Sequence, residues 1–234
     1  MDAISSLFII SIIGGIVAID TTAAWQTMVS QPVVICPLIG FIFGQPEIGV
    51  TLGIILEMPW LVNVPCGGKH GSEGNLGAVA AAAIAVYFAN RQLNTDNIII
   101  IVAALYAIGV ARLGNYLVER VRKINLSLIH RADIAAASAD MPQITALNWT
   151  GVLYSFIMGY ALIVFSFTFA ILTLTPLITF IHPNFDYAFG LAKFGIFGVG
   201  VGGIVSLFFN QKSKWYFFLP TLIGLVSWIF LVFL

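Results

Sequence analysis

Apolar residues run along this chain in two rhythms. In the C-terminal half three unbroken stretches, Gly151 to Ile181, Ala188 to Phe209 and Trp215 to Leu234, each reach the roughly 20 residues that a helix needs to cross a bilayer. The first is overlong and carries Pro176, which predicts tilting or a kink near its end. The N-terminal half differs. Its apolar pieces, Leu7 to Ile19, Pro32 to Phe43, Ile48 to Val64, Leu76 to Ala89 and Ile98 to Ala111, are short and punctuated by Gly, Pro and polar residues. Interrupted segments of this kind predict discontinuous or re-entrant helices, whose freed backbone groups must lie against protein or a cavity. Between the halves Leu113, Leu117, Val121, Ile124 and Leu128 recur at helical spacing, with Arg120, Arg122 and Lys123 on the other faces. The pattern predicts an all-α integral membrane protein, a polytopic helical bundle with short broken or re-entrant helices in its N-terminal half. Three parts are expected: a solute-pathway half over 1–111, a cytoplasmic amphipathic helix and linker over 112–149, and three transmembrane helices over 150–234.

Composition supports the membrane reading, since 60% of the residues are hydrophobic and 9% are charged, outside the range of a soluble domain. The formal net charge is zero, so the overall balance points neither to nucleic acid nor to an acidic substrate. Position matters more. Five of the ten Lys and Arg residues lie between Arg112 and Arg131, and the positive-inside rule puts that stretch on the cytoplasmic side. Crossing outward from there leaves His182 to Phe185 outside, and the return brings Lys212 and Lys214 to the same side as the first basic group. The opening segment has Asp2 in place of a basic n-region and Asp20 where a small-residue cleavage site would be needed, so it reads as a retained membrane segment. Cys36 and Cys66 read as small core residues, and no histidine has neighbours at metal-ligand spacing; neither a metal nor another cofactor is expected.

Glu57 lies inside an apolar run, where a lipid-facing carboxylate would have neither water nor a counter-ion. It is therefore expected to face a protein or water-lined cavity. Asp20, followed by Thr21, Thr22 and Gln26, has two readings, an interfacial acid capping the next helix or a pore-facing group; if the helix continues, Asp20 and Gln26 fall on neighbouring faces. An uncharged polyol wants carboxylates, side-chain amides and an aromatic ring, a set that Glu57, Asn63, Gln26 and Trp60 supply, although Trp60 also suits packing or an interfacial belt. Lys69, His70 and Glu73 read as a solvated loop or as the mouth of a cavity. His130, Arg131 and Asp133 close the amphipathic helix and suit docking of a partner. Lys193 is expected to snorkel, and the glycines after it permit close helix packing.

The segments LEMPWLVNVPCGG, PLIGFIFGQPEIGVTLG and INLSLIHRAD resemble the C subunit of enzyme II of the phosphotransferase system, mannose/fructose/sorbose family, in order over Leu7 to Trp149. The resemblance implies a permease subunit in a bacterial inner membrane that forms the pathway for a hexose-class sugar with a D-type membrane subunit. Soluble A and B subunits would carry phosphate from phosphoenolpyruvate, with the B subunit phosphorylating the sugar; this chain would hold no phosphorylated residue and would assemble as an oligomer of C and D pairs. By the same resemblance Asp20, Gln26, Glu57, Asn63, Lys69 and His70 are the sugar contacts. The chain departs from the family pattern at Gln31 and Gln45, where Arg and Asp are common, and in the loop CGGKHGSEGNLG. Two other functions fit the residues without the family: a proton-coupled secondary transporter using Glu57 or Asp20, and a degenerate membrane scaffold or sensor.

Overall fold

The computed structural model describes residues 3–61 and 73–208. All regular structure among them is helical. Helix α1 spans Ala3–Ala18 and runs on into a π-helical turn, Ile19–Ala23. Then come α2 (Pro32–Ile42), α3 (Pro46–Trp60), α4 (Gly74–Asn90), α5 (Asp96–Ala137), α6 (Met141–Phe180) and α7 (Asp186–Phe208). Among the described residues four segments are long and apolar enough to cross a membrane: Ser5–Ala23, Asp96–Ala137, Met141–Phe180 and Pro183–Ser206. The predicted span from Trp215 to Leu234 lies outside the described residues.

Helix α4 is the hub. Its alanines from Ala78 to Ala83 have essentially no exposed surface, and a helix apolar on every face is stable only when neighbours surround it. It runs antiparallel to α5: Gly77 abuts the Ala107 carbonyl, and the Glu73 N–H donates to Ala111 O at 3.2 Å. Helix α1 runs antiparallel to α6, with Gly14 against Gly159 and Ile163. Tyr106 Oη donates to Ser166 O at 2.9 Å and joins α5 to α6 within the apolar layer. Beyond α4, Asn94 donates to Ile178 O and Ile181 O, both at 2.8 Å, which ties the start of α5 to the end of α6.

The short apolar piece expected over Ile98 to Ala111 is part of a single 42-residue helix, α5, that continues through the basic stretch. At 1.5 Å per residue α5 is about 63 Å long, roughly twice the hydrocarbon thickness. The 40-residue α6 returns beside it after a turn at Ser138 to Asp140, where Ala139 has a positive φ and Asp140 Oδ1 accepts the Gln143 N–H at 3.1 Å. The two helices therefore form an arm that projects past the bundle at the basic end. Helix α6 passes through Pro176 as far as Phe180.

Candidate solute site

The site begins with a helical hairpin. Pro32 and Pro46 open α2 and α3, where a missing N–H is no loss, and Gly44 takes φ +78° in the turn between them. Glycines let the two helices touch. A Cβ on Gly49 would stand 2.5 Å from the Cys36 carbonyl, and one on Gly53 would stand 2.8 Å from the Pro32 carbonyl. Gly49, Gly53 and Glu57 follow one another at intervals of four, so Glu57 continues the face that meets α2. Its Oε2 accepts the Val33 N–H at 3.0 Å, placing a carboxylate on the positive end of α2. The Trp60 ring packs over Gly74 at the start of α4, and its buried Nε1 has no hydrogen-bond partner among the described residues.

Asp20 approaches the same stretch from the other side. It is 5% exposed, and Oδ1 accepts both the N–H and the hydroxyl of Thr27 at 2.7 Å while Oδ2 accepts the Ser30 N–H at 3.0 Å. The helix stops at Ala23, so the expectation that Asp20 and Gln26 share neighbouring helical faces gives way to a loop. In that loop Trp25, Gln26 and Met28 all have positive φ, a conformation that costs a non-glycine residue about 1 kcal/mol or more. Three charge-assisted hydrogen bonds to one carboxylate offset that strain. Asn75, in the first turn of α4, donates to Thr21 Oγ1 at 3.3 Å and Ser30 Oγ at 3.1 Å. Thus α1, the loop, the hairpin and α4 meet at a belt of polar groups.

Asp20 and Glu57 hold neighbouring parts of one segment, Thr27 to Val33, and Gln26 sits exposed at its edge. Asn63, Lys69 and His70 lie outside the described residues. Glu73 corrects an expectation: it is 5% exposed instead of solvated, its side chain lying against Gly114 of α5. His130, Arg131 and Asp133 are exposed on the arm, about 24 Å along the axis of α5 from Gly114. At the far end of the hairpin Gln45 Nε2 donates to Asn90 Oδ1 at 2.8 Å and Asn90 Nδ2 donates to Phe43 O at 3.1 Å, so the end of α4 clasps the hairpin tip. Sequence reasoning passed over Asn75 and Asn90. The available signal was their position, each within a helix's first or last residues, flanking an alanine run.

The family model described as the PTS system sorbose-specific IIC component matches residues 4–231. The chain belongs to this family. It is a phosphotransferase-system permease subunit of the IIC type, a membrane transport protein with several spanning helices. No curated protein matches it significantly. Two solved structures share the fold of this IIC protein. One is described as the structure of a membrane protein (TM-score 0.67, 18% identity, covering 100% of this chain and 97% of that one). The other is a cryo-EM structure of the mannose transporter ManYZ with microcin E492 (TM-score 0.58, 18% identity, covering 100% and 95%).

Proposed function

We propose that this IIC chain forms, with a D-type membrane subunit, the pathway by which a hexose-class sugar enters a bacterial cell across the inner membrane, and that a soluble B subunit phosphorylates the sugar. The basic end of the bundle faces the cytoplasm, as the positive-inside rule requires, and the arm bearing His130, Arg131 and Asp133 receives the soluble partner. Residues 1–111 carry the pathway and 150–234 anchor it. One observation carries the reading: two acids, Asp20 and Glu57, converge from α1 and α3 on the start of α2 at the base of a re-entrant hairpin. Carboxylates in such a place accept hydrogen bonds from an uncharged ligand's hydroxyls without needing a counter-ion on the ligand. Gln26, Asn63, Lys69 and His70 complete the contact set, and the ManYZ neighbour, a mannose transporter, favours a hexose.

Glu57→Gln tests this. An amide oxygen still accepts the Val33 N–H, so the protein folds, but the charged acceptor is lost. Phosphoenolpyruvate-dependent accumulation of hexose phosphate in vesicles holding the chain, its D-type partner and the soluble proteins should fall at least tenfold. Uptake unchanged from wild type would sink the assignment of Glu57. Uptake that needs no phosphoenolpyruvate and collapses under an uncoupler would move the chain to proton-coupled transport.

A further inference from the structure

The π-helical turn Ile19–Ala23 has two polar sides. Asp20 and Thr21 serve the belt that holds α2 and Asn75. Thr22 and Ala23, the next residues, line a separate cavity of about 190 Å³ walled by α5 and α6 at the basic end of the bundle. Arg122 and Asn125 come from α5, and Asn148, Gly151 and Ser155 come from α6, over an apolar floor that includes Val118 and Met158. Asn125 is the second residue of the INLSLIHRAD motif, and nothing in the site described above uses it.

Donors and acceptors in this wall are unevenly used. Thr22 gives its hydroxyl proton to Ala18 O at 3.0 Å and Ser155 gives its proton to Gly151 O at 3.4 Å, so both oxygens remain as acceptors. Asn125 Oδ1 is buried with no hydrogen-bond partner among the described residues, an arrangement that native proteins rarely leave unfilled. Asn148 adds a further amide. A wall that sets amide and hydroxyl acceptors beside amide donors suits a ligand of hydroxyls, which both donate and accept, and the apolar floor suits the C–H face of a sugar ring. Arg122 is exposed and already has an interaction partner of its own, so it does not turn the cavity into an anion site. The volume exceeds the roughly 30 Å³ share of a single water several-fold.

We propose that this cavity is a second sugar site, a cytoplasm-side station for a neutral monosaccharide lying across the π turn from the Asp20 and Glu57 belt. It rests on the reading of the chain as a sugar pathway. A sugar leaving the belt passes the single turn Ile19–Ala23 and exchanges its hydrogen bonds for those of Thr22, Asn125, Asn148 and Ser155. There it stands at the basic end, where a phosphoryl donor reaches it. π-Helical turns recur at functional sites, and this one turns Asp20 and Thr21 toward one compartment and Thr22 and Ala23 toward the other.

The test uses the complex of this chain with its D-type subunit in inside-out vesicles, with labelled sorbose or mannose added to the cytoplasmic face and the soluble proteins and phosphoenolpyruvate supplied. Two variants are compared with wild type. Asn125→Ala removes the orphan acceptor. Gly151→Val fills the cavity, and its Cβ would meet the Asn125 amide at 3.7 Å, an ordinary contact that the fold accommodates. Both should raise the KM for cytoplasm-side hexose at least tenfold with kcat kept, and should move the half-saturation for sugar added outside by less. Gly198→Ala, whose Cβ would meet nothing within 4 Å, is the neutral control. An unchanged KM in both variants, or a fall in kcat alone, overturns the proposal. Should wild type phosphorylate no hexose, the transport reading itself fails, and equilibrium dialysis of labelled hexose against the purified complex then judges the cavity. Saturable binding lost in Gly151→Val supports it; no binding, meaning that water alone fills the space, or a preference for hexose 6-phosphate, overturns it.

Discussion

Asp20 and Glu57 are both acids in apolar surroundings, yet they make opposite demands on a substitution. Asp20 fills both oxygens with the N–H groups of Thr27 and Ser30, so an amide in its place turns one nitrogen toward a donor. A buried donor left without an acceptor costs about 1–3 kcal/mol, and Asp20→Asn is expected to lower the thermal midpoint of the purified protein clearly. Glu57 holds one backbone N–H among the described residues, which glutamine can also do, so Glu57→Gln should leave that midpoint within error while transport falls. Equal midpoints for the two variants would contradict the roles assigned here. The cost of an intramembrane acid made both residues legible in the sequence. Asn75 and Asn90 were not, because an asparagine at a helix end is common and only the fold reveals what it reaches. Glu73 sat among glycines and charges that looked solvated; its burial is created by Gly114 on another helix, which no local pattern contains.

The hairpin shows how far an element can be read from spacing. The interruptions by Gly, Pro and polar residues predict short or re-entrant helices here, and the structure adds that the backbones of α2 and α3 meet at Gly40, Gly49 and Gly53. Gly49→Ala is expected to break the hairpin, since the new methyl meets only backbone, that of Cys36 and Gly40, which cannot give way as a flexible side chain would; detergent-purified protein should aggregate or melt much earlier. Gly195→Ala in α7, where a Cβ would meet nothing within 4 Å, should be neutral or stabilising by about 0.5–1 kcal/mol, the helix preference of alanine. A similar loss from both would mean that α7 is packed against something through that face. Helix α5 was harder to read. Its composition changes from apolar to basic near Arg112, which resembles a boundary, but backbone hydrogen bonds are indifferent to that change and neither Gly109 nor Gly114 interrupts them.

In the whole molecule the arm of α5 and α6 sets the orientation. Five basic residues along it imply that the arm is cytoplasmic, which labelling can check. With Cys66 replaced by serine and Cys36 buried, His130→Cys should react with a membrane-impermeant maleimide in inside-out vesicles and stay protected in intact cells. The reverse pattern would invert the topology and with it the direction of transport. Architecture at this scale was legible because bilayer thickness dictates segment length; the arm was not, since nothing in a hydropathy profile says that a span continues into water without a break. The unbroken course of α5 has a mechanical consequence. A protein gripping the arm near His130 holds the long end of a lever whose short end touches Gly77 and reaches Ser166 through Tyr106, so a tilt of a few degrees at the tip is delivered to the packing around α4 without any intervening joint.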